Sequence, residues 1–410
     1  MKRVTFITTG QPTTNPRLVK EVETLIMFGY QVKVIYCFYQ SWAQKFDHEI
    51  IDKNPGVYIF CGGNPVTSKL SYYKTRIRQK ISKYLSGFTK LGHVYENAVS
   101  RTHAEALSIA KKIQTDIYIA HNLGALPTAV LASKHSNAKV GYDAEDMHSG
   151  FGDPESTDSR LNKYIEEKYF AHTDYFTAAS PSIAQQYKQL YPYLNPVVIN
   201  NVFVKNTIPF TSTLLHKSVI KLFWLSQTIG INRGIEDVVN AMHLLNNSKL
   251  LNNNTLELHL LGNLPDGDFK VFIENQAPLK IHIHPPVSTV EIEGFASQFD
   301  IGLAMETAYC LNNDIALSNK IFTYIQSGLA IIASDTKAQS MFLEQYPGVA
   351  KLYKKNDAIS MANCLKKYAE NPQLLYETRR HNYMLGQNEL NWETEREKFI
   401  AIVDKTLQEN

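Results

Sequence analysis

Cysteine is scarce in this 410-residue chain, and the four present, Cys37, Cys61, Cys310 and Cys364, form no CxxC pair and no metal-ligand spacing. That excludes a disulfide scaffold and fits a reduced, cytoplasmic setting. Net charge is also small: 42 Lys and Arg against 39 Asp and Glu leave +3, so no whole-molecule field exists to grip nucleic acid. Any basic site must be local. No apolar run reaches about 18 residues, and Met1-Lys2-Arg3 passes directly into Val4-Thr5-Phe6-Ile7, too short an apolar run for a secretory leader. The expectation is that nothing spans a membrane. Three nucleotide and hydrolase signatures are missing as well. Gly150-Phe151-Gly152 is followed by Glu155 where a G-x-G-x-x-G fingerprint needs glycine, and neither a P-loop nor a G-x-S-x-G motif occurs. Dehydrogenases, P-loop nucleotidases and α/β-hydrolases lose most of their claim.

What is present is ordinary globular material, 44% hydrophobic and 20% charged, in a length that suits two or three domains. Short β-branched or aromatic runs alternate with segments of helical period, the pattern of βα units around parallel sheets, so the fold class is α/β. Strands are expected at 4–8, 32–36, 57–60, 117–121, 140–143, 175–178 and 197–199. A second series is expected at 221–225, 256–261, 281–284, 301–305, 330–333 and 349–352. The first helix is well punctuated: Asn15 caps it, Pro16 takes its first position and Gly29 stops it. A polar stretch at 204–217 reads as the linker. The division expected is 1–205, 206–385 and a terminal helix within 386–410 whose packing partner the sequence does not reveal.

Ligands of open α/β sheets bind beyond the carboxyl ends of strands, so the strand-to-helix junctions carry the candidates. The first, Thr9-Gly10-Gln11-Pro12-Thr13-Thr14-Asn15-Pro16-Arg17, is a small-residue loop entering a helix amino terminus, which favours an anion, with Arg17 adding charge. A plain turn with a solvated Arg is the ordinary alternative. In the second half, Arg233-Gly234 lies between a strand end and a helix start, where Arg233 can clamp a phosphate. The segment 312–328 offers Ser318 as an N-cap, with Asn319 and Lys320 in the first helical turn; a cation there opposes the helix dipole unless a phosphate sits beside it. Hard-ligand types gather in Asp143, Glu145, Asp146 and His148, and His282 and His284 share a strand face, but neither group has a convincing metal pattern and no metal site is expected.

Taken with these motifs, the chain resembles the GT-B glycosyltransferases, closest to glycosyltransferase family 4, over nearly its whole length. The resemblance implies two Rossmann-like domains facing across a cleft that holds a UDP- or GDP-sugar, with no cofactor required. The family usually carries Arg and, six residues later, Lys before Gly, both on the donor diphosphate; this chain has Gln227 and Arg233-Gly234 at that spacing. Of the family's two Glu, the position five before Gly328 is Thr323 and the position eight earlier is Ile315, so Asp314 stands in for the first and Thr323 offers a hydroxyl to the ribose. The strand ending in His121 resembles the family strand whose His orients the reacting sugar, and Glu145 occupies a position where the family commonly has His. Glu145 or Asp146 can meet an acceptor hydroxyl as base; a hydrogen-bonded acidic loop is the alternative. The implied activity is a retaining sugar transfer to a glycan or lipid-linked acceptor, with a catalytically weak sugar-nucleotide binder and a sugar-nucleotide epimerase as the competing readings.

Residues 69–90 carry Lys69, Lys74, Arg76, Arg78, Lys80, Lys83 and Lys90 without an acid, interleaved with Tyr72, Tyr73, Ile77, Ile81, Tyr84 and Leu85 at mostly helical spacing. A basic amphipathic helix suits peripheral contact with an anionic membrane face; a core-packed helix with a solvated basic side fits equally.

Overall fold

The computed structural model describes residues 1–89, 93–210, 218–247, 254–288 and 291–409. Lys90 and residues 211–217 of the expected linker lie outside that set. The chain forms two compact units, residues 1–200 with 396–410 and residues 201–395.

Unit 1 holds strands β1 (Arg3–Thr8), β2 (Gln31–Cys37), β3 (Tyr58–Cys61), β4 (Ile117–His121), β5 (Lys139–Ala144), β6 (Tyr175–Ala178) and β7 (Val197–Val198), in the parallel order β3-β2-β1-β4-β5-β6-β7. Unit 2 holds β8 (Val219–Thr228), β9 (Thr255–Asn263), β10 (Lys280–His284), β11 (Ile301–Ala304), β12 (Ala330–Ser334) and β13 (Ala350–Tyr353), in the parallel order β10-β9-β8-β11-β12-β13. Helices cover both faces, so the central strands read as unbroken apolar runs: β4, β11 and β12 are buried from end to end. Each fully buried Leu, Ile or Phe in such a strand contributes about 1.5–3 kcal/mol relative to exposure. The expected first helix is Pro16–Met27; the Asn15 side chain accepts from Leu18 N at 2.9 Å, and Gly29 follows with φ +81°.

The division between units falls at 200/201 rather than 205/206, because residues 201–206 pair with the second sheet's helices. Asn206 donates from N and Nδ2 to Gln326 Oε1 and O at 3.1 and 3.2 Å, and Trp392 N donates to Phe203 O at 2.7 Å. Gln326 Nε2 in turn reaches Gly386 O and Leu390 O. The terminal helix, Trp392–Gln408, finds its partner in unit 1, where Asp404 accepts from Lys2 Nζ and Tyr30 OH.

Candidate functional site

In unit 1 the strand order reverses direction between β1 and β4, the switch point at which such sheets bind ligands. Register places Thr8 beside His121 and His121 beside Asp143, at the carboxyl ends of three adjacent strands. The Gly10 loop is already filled by its own chain. Gly10 N donates to Thr8 Oγ1, Gln11 N to Thr14 Oγ1, and Asp47 accepts from Thr13 N at 3.0 Å and Gln11 Nε2 at 2.6 Å. The carboxylate of Asp47 thus occupies donors that the sequence offered to an external anion. Arg17 is neither a loop charge nor solvated. It is fully buried, its fork spanning Asp143 (Nε to Oδ2 and Nη2 to Oδ1, both 2.7 Å), with Nη1 donating to Ile199 O at 2.6 Å. It cannot be a direct phosphate contact: in the first turn of the helix, its side chain is turned inward onto Asp143 and Ile199 O.

His121 is equally enclosed. Its Nε2 lies 2.9 Å from Glu21 Oε2 and its Nδ1 3.2 Å from Glu145 Oε1, which also accepts from Asn15 Nδ2 at 2.7 Å. With a carboxylate on each ring nitrogen, both must donate, which is the imidazolium form. Burial works against that charge, but Glu21 foremost, then Glu145 and Asp143, outweigh it and push the imidazole up to about 10. Burial also pushes the Glu21 carboxyl up despite His121; burial would raise Asp143 too, but Arg17 and His121 hold it below its usual range. Glu145 differs from Glu21 and Asp143 in keeping a side chain 22% exposed. Glu21 was missed by sequence reading, although its i,i+4 spacing from Arg17 was a signal. His148 accepts from Leu123 N at 3.3 Å, which takes it out of the acidic loop as a free ligand.

In unit 2 the loops after β8 and β11 are brought together by two glycines. Gly234 has φ +74°, and a Cβ there would lie 2.7 Å from Met305 Cβ; a Cβ on Gly302 would lie 2.3 Å from Tyr324 Cγ. The first close approach lays Gly234 against Met305, and Thr307 Oγ1 donates to Asn232 O at 3.4 Å. The second seats the helix Asn319–Gln326 on β11. Glu306, two residues beyond β11, is the centre of the result. It is 8% exposed; its Oε1 accepts from Lys320 Nζ at 2.7 Å and Ser318 Oγ at 2.9 Å, and its Oε2 from Asn313 Nδ2 at 2.9 Å. Burial would raise this carboxyl, but Lys320, with the Asn313 and Ser318 hydrogen bonds, holds it below the usual range. The Lys320 ammonium also lies 5.6 Å from the Trp224 ring centroid.

Several expected site residues therefore sit differently from their sequence reading. Ser318 stands at the N-cap position, but its hydroxyl serves Glu306 and caps nothing. Asp314 accepts from Lys337 N at 3.1 Å, tying the short helix Leu311–Ile315 to the start of the helix Lys337–Gln345, while Asn313 donates to Glu306. Thr323 is 2% exposed within the buried run of its helix and gives a ribose little to touch. Gln227, Arg233 and Asn319 are exposed, and Arg233 lies close enough to the Tyr309 phenol for its charge to act on it. Glu306 was legible as a carboxylate directly after a buried strand, and the family spacing drew attention away from it.

The basic helix Lys69–Leu85 is amphipathic in the inverted sense. Thr75 and Ser82 are buried, whereas Leu70, Tyr73, Ile77, Ile81 and Tyr84 are 54–91% exposed along one stripe. Arg78 is drawn inward to Glu105 and Arg101 O, and Lys83 pairs with Asp158 at 2.9 Å. The reading of a core-packed helix is contradicted, because its apolar side faces out. Among the described residues no helix is long and apolar enough to cross a membrane.

No protein-family model and no curated protein sequence matches the chain. Solved structures do match its fold along nearly the full length. Anabaena HepE in complex with UDP and glucose superposes with a TM-score of 0.68 at 13% identity, covering 99% of this chain and 100% of that one. A point mutant of S. aureus TarM in complex with fondaparinux, α-GlcNAc-glycerol and UDP gives 0.69 at 11% identity, with 98% and 99% covered. The lipopolysaccharide outer core galactosyltransferase WaaB in its apo form gives 0.59 at 12% identity, with 98% and 99% covered. The chain has the GT-B fold, two Rossmann-like parallel-sheet units, shared with these structures.

Proposed function

We propose that this GT-B chain is a retaining glycosyltransferase that takes a sugar from a UDP-sugar and passes it to a hydroxyl of a glycan or lipid-linked acceptor. The observation that carries the reading is the cationic arrangement at the carboxyl ends of β8 and β11: an exposed Arg233, and Lys320 anchored through Glu306 at an uncapped helix amino terminus. The departing UDP gains negative charge as the glycosidic bond breaks, and cations and helix N–H groups already aimed at that charge lower the barrier without reorganising. Lys320 has further N–H donors beyond the one on Glu306, and the guanidinium can take two phosphate oxygens at once. Cationic side chains of this kind do the work of a metal on the diphosphate. Gln227, exposed near the end of β8, and Asn319, exposed at the first position of its helix, would add polar contacts to the donor.

On the acceptor side, the half-open Glu145 carboxylate meets the acceptor hydroxyl while His121 and Asn15 fix its orientation. In a front-face reaction the donor phosphate takes the acceptor proton, so Glu145 orients the hydroxyl and no separate base is required. The outward apolar stripe of Lys69–Leu85, flanked by Lys74 and Lys80, fits the anionic inner face of a membrane that carries a lipid-linked acceptor. Flotation with phosphatidylglycerol vesicles tests that contact, and the triple change Leu70→Ser, Ile77→Ser, Ile81→Ser abolishes it.

Incubation with a panel of UDP-sugars, with and without acceptors, tests the activity. Acceptor-dependent UDP release with the product anomer matching the donor supports the proposal. A changed sugar released without acceptor is the mark of an epimerase. Binding without turnover on any acceptor is the mark of a sugar-nucleotide-binding partner protein, a reading favoured by the buried Ile315 and Thr323 where the resembled family has Glu.

A further inference from the structure

His282 and His284 share a strand face, and the structure adds two groups to them. β9 and β10 pair in parallel with His282 opposite His259 and Lys280 opposite Glu257. Alternate residues of a strand share a face, so Glu257, His259, His282 and His284 project to one side of the sheet. The His259 and His282 rings stack with centroids 4.5 Å apart. Glu257 Oε2 lies 3.8 Å from His259 Nε2 and 3.9 Å from His282 Nε2, and one donor atom from each of the three falls within 4.8 Å of the others.

One atom in this group is anomalous. His259 is 8% exposed, and its Nε2 is buried with no hydrogen-bond partner among the described residues. A buried polar atom left without a partner is costly and calls for a cause. Its other nitrogen, Nδ1, is 3.0 Å from His284 Nε2. With Nδ1–H donating to His284, the Nε2 lone pair faces Glu257 and His282, and a histidine whose second nitrogen is fixed in this way is what metal ligation uses. Lys280 Nζ holds Glu257 Oε1 at 3.1 Å and leaves Oε2 to the histidines.

We infer that Glu257, His259 and His282 form a site for one divalent transition-metal ion of the zinc class, with His284 positioning His259 and a fourth ligand place open to water. Two imidazoles and a carboxylate suit Zn²⁺ rather than the hard cations. Ligand bonds of about 2.0–2.1 Å place tetrahedral donors roughly 3.3–3.4 Å apart, so the half-exposed His282 ring closes the gap by a small rotamer adjustment. The ion clamps edge strand β10 to β9, away from the strand ends that carry Arg233 and Glu306. The site stands whether or not the chain transfers sugars.

The test uses the untagged full chain stripped by a chelator, titrated with Co²⁺ alone by visible absorption and with Zn²⁺ alone by calorimetry, with melting temperature followed in parallel. The expected result is one ion per chain and a raised melting temperature. His282→Ala removes an exposed ring, so it leaves the metal-free melting temperature in place and weakens binding at least tenfold; Glu257→Gln also weakens it. His284→Phe weakens binding about 10–100-fold through the ligand it orients. Saturation by neither metal, or unchanged binding in both His282→Ala and Glu257→Gln, overturns the site. Should His259→Ala fail to fold, His282→Ala decides alone.

Discussion

The two units carry polar clusters at equivalent places, the strand ends of a parallel sheet, and use them in opposite ways. In unit 1 the charges answer one another: Arg17 is locked on Asp143, His121 lies between Glu21 and Glu145, and all but Glu145 are out of water. In unit 2 a single buried carboxylate, Glu306, anchors Lys320, and the neighbouring Arg233 stays exposed. The contrast is between charges closed on one another and a cation left exposed, the one we propose binds the donor diphosphate. A buried ion pair contributes little net stability over an apolar replacement, yet losing one partner strands the other. An exposed cation contributes almost nothing to folding and is free to bind.

The comparison breaks most readily at Arg17. Arg17→Met leaves Asp143 and Glu21 buried without their counter-charge and should cost about 3–5 kcal/mol in urea or guanidinium unfolding. A loss below about 1 kcal/mol would show that unit 1's network is not closed.

A second test is pH. Burial pushes the Glu166 carboxyl up to about 7, against hydrogen bonds from Ser149, Tyr187 and Tyr191. The folded state therefore holds that proton more tightly than the unfolded chain, so the contribution is fully present below about pH 4.5 and is lost as pH rises through 7, by up to about 3 kcal/mol. Glu166→Gln should flatten the stability profile across that window. His121 adds a decline of the same sign at higher pH, between about 6.5 and 10.

Smaller effects are expected in unit 2. Lys320→Met leaves Glu306 nearly buried and unpaired, for about 1–3 kcal/mol of stability, and removes UDP binding with it. Arg233→Ala should leave stability within about 0.5 kcal/mol while weakening UDP binding at least tenfold, seen by calorimetry beside a melting curve. If Arg233→Ala destabilises the chain as Arg17→Met does, the distinction between the two clusters fails.

The strand series, the capped first helix and the two-sheet architecture were legible because parallel strands buried on both faces leave short unbroken apolar runs. The sites were less legible, since spacing reports neighbours in sequence and not across strands. Arg17 looked like a phosphate ligand because its position in the first helical turn was right; its direction, set by Asp143 on a strand 126 residues away, was not in the local pattern. Asp314 was chosen, and Glu306 not considered, for the same reason: counting from Gly328 leads to Asp314, yet the short helix Leu311–Ile315 turns Asp314 toward Lys337 N. His259 and Glu257 join His282 only through the β9–β10 register. The tail at 386–410 could not be assigned, because its partners Lys2 and Tyr30 lie at the other end of the chain.

The central claim is that unit 2 holds a nucleoside diphosphate between Arg233 and Lys320. Calorimetric titration of UDP into the parent chain, Arg233→Ala and the Arg233→Ala, Lys320→Met pair tests it most directly. The account predicts one saturable site in the parent, weakened at least tenfold by the first change and lost in the second. No saturable binding in the parent, or equal binding in all three, would contradict it.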